Sequence, residues 1–313
     1  MLENIPMDKG ILRKWLKAGY MEGNVLYPTE EGTPQGGLIS PVLANMVLDG
    51  LEETARNAVP KRIVRRSTRS KVHVIRYADD FLITAHSREL LEEKIIPAVV
   101  AFLKERGLNI SVEKSKITDI KTGFKFLGAS IRKYGTAGKF LITPSKENLL
   151  RFIEDLREYI RSHLWLKTEH LIHQLNSKIR GWTNYFRPLC SSRAFRKLDS
   201  EIFNALWGWA KRRHNSKGHR WVAKRYFHTH RKGLWVFFAP SKDKAGRPRR
   251  LKLVKASCTT IRRHVKIRAE ANIFNPDHAD YFAVRRQDQR RARQADYKRR
   301  KQWEREEAWE HAA

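Results

Sequence analysis

VHVIRYADDFLITA, residues 72–85, is the stretch that decides the fold of this chain. Two runs rich in β-branched and aromatic residues flank Ala78-Asp79-Asp80, a pattern typical of a β-hairpin. Adjacent carboxylates at a hairpin tip are unusual, because aspartate is depleted from strands and like charges repel. A divalent cation removes that repulsion, and Mg²⁺ prefers such oxygen ligands. The alternative is an Asp-rich turn that binds no metal.

The residues around the hairpin predict an α+β layer. Helical periodicity of apolar residues is found in three segments: 9–20, 41–56 and 88–106. Short strands are expected near 111–118 and 125–131, followed by a turn-rich boundary at 132–139. Helices alternating with hairpins are typical of a sheet with helices packed on one face.

The second half of the sequence is predicted to be mainly helical. Three helices are expected, over 145–163, 167–186 with a break near Gly181, and 192–213. Residues 217–257 have a mixed pattern that includes a β-like run at 233–239. The tail from residue 284 alternates in charge, which predicts either a solvated helix or a disordered arm.

The charge balance indicates a polyanionic partner. Lys and Arg total 64 against 33 Asp and Glu, a formal charge of +31. Residues 1–140 carry +7, residues 141–240 carry +13 and residues 241–313 carry +11. Such an excess opposes compaction and is typical of proteins that bind nucleic acids. The alternative is a generic basic surface with no particular target.

Aromatic residues accompany this charge. Six tryptophans fall within residues 141–240: Trp165, Trp182, Trp207, Trp209, Trp221 and Trp235. Aromatic rings dominate protein cores, so each of these tryptophans is expected first to be a core residue. Stacking on unpaired bases is the second interpretation.

Several classes of protein are disfavoured. Two cysteines cannot form a disulfide scaffold, and no C-x-x-C pair is present to hold zinc. The start MLENIPMDKG does not resemble a signal peptide, and no apolar run approaches the roughly 20 residues of a membrane span. We therefore expect a protein that is neither secreted nor embedded in a membrane.

Four sequence blocks resemble the reverse transcriptase family. Tyr77 to Phe81 (YADDF) resembles the palm signature, and Gly32 to Pro41 (GTPQGGLISP) with Leu43 and Asn45 resembles the block before it. Gly107 to Ser115 and Gly123 to Gly128 resemble the two blocks after it. The blocks occur in the order and spacing of that family, so the resemblance implies a polymerase palm.

The second half resembles the maturase domain of group II intron reverse transcriptases. The matching blocks are Leu175 to Phe186, Phe195 to Asp199, Leu206 to His214, His228 to Trp235 and Ile267 to Asn272. The resemblance covers residues 1 to 282. It implies a partial right-hand palm at 1–140, an α-helical thumb/maturase domain at 141–240, a basic DNA-binding region at 241–283 and a charged tail at 284–313.

The resemblance implies roles for residues of the palm. Asp79 and Asp80 would hold Mg²⁺ for nucleotidyl transfer, and Lys114 would protonate the departing pyrophosphate. A salt bridge from Lys114 to Glu113, or simple attraction to phosphate, is the alternative. The pocket for nucleotide and template would be formed by Pro34, Gln35, Gly36, Gly37, Tyr77 and Ala78. A plain turn into the following helix is the alternative for the first four.

Further roles follow for the hairpin and the helices beyond it. Phe126, Leu127 and Gly128 would support the primer. The residues expected to grip intron RNA are Arg180, Asn184, Tyr185, Arg187, Arg212 and Arg213. Trp182 and Phe186 are expected to pack inward.

The family's third metal-binding aspartate lies on a strand before a helix like residues 9–18. This chain begins after that strand, so we expect it not to polymerise DNA alone. Asp8 is the nearest substitute, but its position predicts a helix N-cap. The cysteine pairs of the nuclease domain found in many relatives are also absent, and His228-x-His230 is weak evidence for a metal.

The resemblance implies an RNA-directed DNA polymerase and splicing maturase. Its partners would be group II intron RNA, target DNA and deoxynucleotides, with a dimer or a complementing N-terminal part as further options. The expected location is a bacterial cytoplasm or an organelle. The alternatives are a maturase without polymerase activity and an inactive remnant of a mobile element. A cyclase-type palm is disfavoured, because it would lack the PQGG block and the basic helices.

Overall fold

The computed structural model describes most of the chain. The described residues are 5, 7–22, 25–28, 39–60, 62–63, 68–69, 71–111, 113–136, 138–229, 235–242, 246, 248–268 and 270–309. The chain divides into two compact units, Met1–Thr118 and Asp119–Ala313. Each unit combines helices and strands, so the predicted α+β class is confirmed.

The first unit contains five helices and three small antiparallel sheets within its described residues. The helices are α1 (Lys9–Leu16), α2 (Ser40–Val47), α3 (Leu51–Asn57), α4 (Arg88–Leu90) and α5 (Ile96–Glu105), with a π-helical turn at Leu91–Ile95 joining the last two. The strand pairs are β1 (Tyr20–Glu22) with β2 (Val25–Tyr27), β3 (Arg62–Ile63) with β4 (Thr68–Arg69), and β5 (His73–Tyr77) with β6 (Asp80–Thr84).

Three expectations about this unit need correction. The helix predicted over 41–56 is two helices, because Gly50 between α2 and α3 adopts a left-handed conformation with φ of 86°. The helix predicted over 9–20 ends at Leu16. No strand forms within the described residues of 111–118, which lack a paired neighbour there.

The hairpin β5–β6 is covered on one face. Val74, Phe81 and Ile83 pack against a buried cluster formed by helices α3 and α5 and the π-helical turn. The buried members of this cluster include Leu51, Ala55, Ile95, Val99 and Leu103. Strand alternation therefore places every second residue of the hairpin on this core, as the pattern predicted.

The second unit contains two three-stranded sheets and five α-helices within its described residues. The first sheet is β7 (Phe124–Phe126), β8 (Ala129–Tyr134) and β9 (Lys139–Pro144), and the second is β10 (Phe227–Thr229), β11 (Trp235–Lys242) and β12 (Pro248–Lys252). The helices are α6 (Lys146–Ser162), α7 (Thr168–Phe186), α8 (Ser192–Arg213), α9 (His219–Tyr226) and α10 (Ala279–Trp309). The predicted turn-rich boundary at 132–139 contains the end of β8 and the first residue of β9, with the turn of their hairpin between them.

Helices α6, α7 and α8 form at the predicted positions. Ser145 caps α6, since its Oγ accepts a hydrogen bond from the Asn148 N–H. Helix α7 shows no break at Gly181, because Ile179, Thr183 and Phe186 are buried on both sides of the glycine. Packing of this apolar stripe outweighs the low helix propensity of a single glycine.

One large core holds the second unit together. Its buried residues come from α6, α7, α8, α9 and the sheet β10–β12, and they include Leu156, Leu175, Leu206, Trp209 and Phe237. Within the described residues, no helix combines the length and the apolar character that crossing a bilayer requires.

Candidate nucleic-acid and metal sites

The paired aspartates lie at the tip of the hairpin β5–β6. Tyr77 pairs with Asp80, so Ala78 and Asp79 form the two-residue turn. Ala78 has φ of 53°, a conformation that costs energy for a residue with a Cβ atom. All four side chains are exposed to solvent. The turn thus presents two adjacent carboxylates on a strained support, in the arrangement that the sequence predicted.

The face of the hairpin that carries Asp80 is open. Ile75 and Tyr77 on this face are 53% and 65% exposed. On the opposite face, Arg76 donates a hydrogen bond from Nη1 to Asn45 Oδ1 of α2, at 2.7 Å. The face that carries Arg76 is therefore attached to α2, and the face that carries Asp80 remains accessible to a ligand.

The carboxylate oxygens of Asp79 and Asp80 are of the ligand type that a magnesium ion prefers. Mg²⁺ is commonly held by one or two carboxylates and completes its octahedron with waters and substrate phosphates. Within the described residues, no group of three metal-binding side chains comes together. Asp8 caps α1, as predicted, because its Oδ1 accepts the Ile11 N–H at 2.8 Å. Asp79 and Asp80 are therefore the protein ligands that this part of the chain can offer.

The expected palm site has two further elements, the block at residues 34–37 and Lys114. Pro34, Gln35, Gly36 and Gly37 lie outside the described residues. Lys114 is exposed in the segment after α5, and its predicted role remains a prediction.

The predicted primer-supporting hairpin belongs to the second unit. Phe126 pairs with Ala129, and both turn residues have positive φ, 49° at Leu127 and 72° at Gly128. The Leu127 carbonyl accepts a hydrogen bond from the Tyr185 hydroxyl at 3.1 Å, and the Gly128 carbonyl accepts the Ser145 N–H at 2.9 Å. The hairpin tip is thus attached to the helical core through α6 and α7.

Gly128 is required by its surroundings as well as by its conformation. A Cβ atom at this position would lie 3.2 Å from Asn148 Nδ2 and 3.5 Å from the Phe186 ring. The Asn148 side chain is itself held, since its Oδ1 accepts the indole N–H of Trp182 at 3.0 Å. Trp182 also stacks on Phe152 with ring centroids 5.2 Å apart, so the predicted inward packing of Trp182 is confirmed.

The residues predicted to bind RNA on α7 fall into two groups. Arg180, Asn184 and Tyr185 are exposed. Arg187 is half-buried, and its guanidinium donates to the Thr260 carbonyl at 3.2 Å and to Asp296 Oδ2 at 3.1 Å. The structure thus brings the first three to the surface and places Arg187 in contacts within the protein.

Arg212 and Arg213 are neighbours in sequence with different surroundings. Arg212 is exposed. Arg213 Nη1 donates to the carbonyls of Leu164 and Leu166 at 3.2 and 2.6 Å, and its guanidinium lies over the Trp209 ring. Arg213 therefore holds the loop between α6 and α7 against the end of α8.

The six tryptophans divide between core and surface. Trp209 is fully buried, and Trp182 and Trp207 pack against the same core. The remaining three are exposed: Trp165 by 74%, Trp221 by 39% and Trp235 by 43%. Among the six, these three exposed tryptophans could stack on a base.

His214 follows Arg213 at the end of α8. Its Nε2 lies 2.7 Å from the Tyr226 hydroxyl. Burial lowers the pKa of His214 below its ordinary value of 6.5, and the neighbouring cations Arg213, Arg225 and Lys217 lower it further. The lowered pKa favours the neutral imidazole beside these cations.

Two polar residues that the sequence did not single out for a role attach the basic region to the helices. Asn176 is buried, and its amide donates to the Lys252 carbonyl at 3.1 Å and accepts the Val254 N–H at 2.7 Å. The Asp199 carboxylate accepts the N–H groups of Ala256 and Ser257. An asparagine within the apolar stripe of α7 is the sequence signal that could have indicated the first of these contacts.

Comparisons with known proteins agree with both halves of the chain. Residues 2–131 match the family model described as reverse transcriptase (RNA-dependent DNA polymerase). Residues 149–227 match the model described as the group II intron maturase-specific domain. The two matches occur in one chain and in the order that the sequence blocks predicted.

Curated relatives are similar at low identity. They include the group II intron-encoded protein LtrA of Lactococcus lactis subsp. cremoris, which is 26% identical over 56% of this chain and 43% of its own length. An uncharacterized 91 kDa protein in the cob intron of Schizosaccharomyces pombe is 26% identical over 56% of this chain and 30% of its own length. Protein YkfC of Escherichia coli is 30% identical over 43% of this chain and 42% of its own length. The chain thus spans less than half the length of these relatives.

Proteins encoded in introns of bacterial and yeast origin are thus among those to which this chain is similar. The chain therefore combines a reverse transcriptase segment at residues 2–131 with a group II intron maturase-specific domain at residues 149–227.

Proposed function

We propose that this chain binds the folded RNA of a group II intron and assists its splicing, and that it forms the palm, thumb and DNA-binding parts of a reverse transcriptase. The division at residues 1–140, 141–240, 241–283 and 284–313 is part of this proposal. The proposal also includes target DNA and deoxynucleotides as partners, and a location in a bacterial cytoplasm or an organelle.

One observation carries the RNA-binding part. Residues 168–226, which contain α7, α8 and α9, hold 13 Lys and Arg residues and only three carboxylates. Each of these carboxylates has a hydrogen-bond partner within the protein. Glu169 accepts from Ser241, Asp199 accepts from Ala256 and Ser257, and Glu201 accepts from Arg157.

This arrangement leaves a surface of cations and hydrogen-bond donors. The exposed residues on it include Lys178, Arg180, Asn184, Tyr185, Arg196, Arg212 and Arg220. Cations without neighbouring carboxylates neutralise phosphates and release counterions, which makes binding strong and salt-dependent. A surface with interspersed charge would lose much of this attraction.

The polymerase part rests on the hairpin tip. Asp79 and Asp80 would hold Mg²⁺, and the chemistry that the ion supplies when bound would be neutralisation of charge on the transferring phosphate. Tyr77 and Ala78 would line the nucleotide site beside these carboxylates, with Pro34, Gln35, Gly36 and Gly37. Lys114 would donate a proton to the departing pyrophosphate. Phe126, Leu127 and Gly128 would support the primer strand on the anchored hairpin.

Affinity for a group II intron RNA, measured from low to moderate KCl, tests the RNA-binding part. The double variant Arg180→Gln with Arg212→Gln should lower the slope of log affinity against log salt by about 1.5, since each phosphate contact contributes roughly 0.7 to 0.9. The matched control is Arg13→Gln with Lys14→Gln, two exposed cations on α1. An unchanged slope, or an equal loss in the control, contradicts the proposed surface.

Primer extension on an RNA template with Mg²⁺ tests the polymerase part. Any extension by a protein that contains this chain should disappear in Asp79→Ala. Asp49→Ala is the control, because Asp49 is an exposed carboxylate of the same unit outside the hairpin. Extension that persists in Asp79→Ala contradicts the assignment of Asp79 as a metal ligand.

A further inference from the structure

The hydroxyl of Tyr185 on α7 reaches the tip of the hairpin formed by β7 and β8. It donates to the Leu127 carbonyl at 3.1 Å, across 58 residues of sequence. We propose that Tyr185 is a positioning residue, whose hydroxyl holds the turn Leu127-Gly128 in the conformation that supports the primer strand. The inference rests on the primer-supporting role proposed above. It assigns the hydroxyl to the hairpin, while the exposed ring stays on the RNA-binding surface.

The turn is strained at its first residue. Phe126 pairs with Ala129, so Leu127 and Gly128 form a two-residue turn, and both have positive φ. This backbone matches the twist of a hairpin, but asparagine, aspartate or glycine normally occupies it. Leu127, with φ of 49°, adopts it at a cost because of its Cβ atom. Its side chain is 36% exposed, so burial offsets little of that cost.

Two hydrogen bonds hold the turn from the helical side. The Gly128 carbonyl accepts the backbone N–H of Ser145, the residue that caps α6. The Leu127 carbonyl accepts the Tyr185 hydroxyl. Strand β8 is paired along its whole length with β9, so the stem of the hairpin is fixed without any contribution from α7. The bond from Tyr185 therefore acts on the tip.

The position of the Tyr185 hydroxyl is set by packed neighbours on α7. The Tyr185 ring packs edge-on against Phe186, with ring centroids 4.7 Å apart, and Phe186 is buried. Nearly one turn earlier, Trp182 donates to Asn148 and stacks on Phe152. The hydroxyl is thus carried on a well-packed part of the helix, and this part can serve as a reference point for the turn.

The strain at Leu127 and the bond from Tyr185 are of similar size. A left-handed backbone at a residue with a Cβ atom, and the net contribution of one hydrogen bond, each change an equilibrium by roughly fivefold to tenfold. Without the hydroxyl, the turn should therefore also populate a relaxed conformation in which Leu127 loses its positive φ. The affinity for the primer strand should fall with the fraction of chains that keep the supporting conformation.

Hydrogen exchange of the full chain tests the contact itself. Tyr185→Phe removes one oxygen atom and keeps the ring that packs on Phe186. Amides within 126–130 should exchange about fivefold faster, whereas the amides of α7 should keep their protection. Tyr134→Phe is the matched control, because Tyr134 is an exposed tyrosine on β8 of the same sheet. This control should leave the exchange of the tip unchanged.

A second variant tests the strain. Leu127→Gly, added to Tyr185→Phe, supplies a residue that adopts positive φ without a penalty from a Cβ atom. It should slow the exchange of the tip back towards that of the unaltered chain. Exchange that stays as fast as in Tyr185→Phe alone would contradict the balance between strain and hydrogen bond.

Affinities for two nucleic acids connect the contact to its role. Tyr185→Phe should weaken binding of an RNA–DNA primer–template duplex by about twofold to fivefold, since the supporting conformation is populated less. Leu127→Gly in the same chain should restore that affinity. Binding of a group II intron RNA should be the same for all of these variants, because the ring of residue 185 and the neighbouring cations remain.

The outcomes separate this inference from the proposed function. Unchanged exchange in Tyr185→Phe, or an equal change in Tyr134→Phe, overturns it. Faster exchange with unchanged primer–template affinity also overturns it and leaves the proposed RNA binding standing. An equal loss of affinity for intron RNA would place the hydroxyl on RNA and overturn it as well. A chain that binds neither nucleic acid overturns both this inference and the proposed function.

Discussion

Arg187 Nη2 lies 3.1 Å from Asp296 Oδ2, and this ion pair joins the end of α7 to the middle of α10 across 109 residues of sequence. Arg262 makes a second ion pair with the same carboxylate oxygen, at 3.0 Å. About a quarter of each side chain of the first pair is exposed, so solvent screens it only in part. Asp296 thus fixes α10 to the end of α7.

Loss of this carboxylate charge should loosen α10. We expect Asp296→Asn to speed amide hydrogen exchange within 279–298 while exchange in α6 to α8 keeps its protection. The reason is that two guanidinium groups lose their shared anion, at a cost of about 1 kcal/mol. Asp288→Asn, at an exposed position within the same helix, should leave the exchange of α10 unchanged. Equal protection of α10 in Asp296→Asn and the unaltered chain would refute this role.

Removal of the Asn176 amide should destabilise the second unit. Asn176→Ala removes the buried amide and its hydrogen bonds to the Lys252 carbonyl and the Val254 N–H, and we expect a loss of about 3 kcal/mol. Ser177→Ala is the matched control, because Ser177 is exposed and its hydroxyl bonds only back to the His173 carbonyl. Urea unfolding of both variants measures the difference. Equal midpoints for the two variants would show that Asn176 does not hold the basic region.

Gly128→Ala should destabilise the hairpin tip. The alanine would have to keep φ near 72°, and its Cβ atom would press on Asn148. We expect a loss of about 1 to 2 kcal/mol, seen as a lower thermal midpoint. Gly135→Ala is the comparison, since Gly135 also has positive φ but a Cβ atom added there would meet no atom within 4 Å. A larger loss at Gly135 would show that crowding at Gly128 is unimportant.

Substitution of Arg213 should lower stability, whereas substitution of its neighbour Arg212 should weaken RNA binding. Arg213→Gln removes the guanidinium that donates to Leu164 and Leu166, and should lower stability by about 2 kcal/mol. Arg212→Gln should leave the thermal midpoint unchanged and weaken intron-RNA binding. Thermal unfolding and RNA affinity, measured on both variants, separate the two roles. A stable Arg213→Gln variant with weakened RNA binding would reverse this assignment.

Stability should fall as the pH drops below the ordinary pKa of histidine. Burial first, and then the cations Arg213, Arg225 and Lys217, lower the pKa of His214, so the unfolded chain binds its proton more readily than the folded chain. The contribution is fully present above pH 6.5 and is lost as the pH falls from there towards the lowered pKa. His214→Gln should flatten this part of the profile, whereas His173→Gln, on an exposed position of α7, should not. Identical pH profiles for the unaltered chain and His214→Gln would contradict the shift.

The local pattern of apolar residues was sufficient to predict most of the helices and strands. Alternating apolar residues around Asp79 and Asp80 predicted the hairpin β5–β6, since neighbours in a strand point to opposite faces. Apolar spacing and the capping residue Ser145 predicted α6. Local rules failed where packing opposes propensity, as in the unbroken helix at Gly181.

The sequence by itself determined the reverse transcriptase and maturase matches, the adjacent aspartates and the excess of positive charge. Only the tertiary structure decided which cations face solvent. Arg212 and Arg213 are indistinguishable in composition, yet one is exposed and the other donates to carbonyls 47 and 49 residues away. Likewise, Asp296 is one of many charged residues in the sequence of the tail, and only the structure shows that it pairs with Arg187 and Arg262. The reason is physical: helical period fixes which residues share a face, but the direction of that face depends on partners distant in sequence.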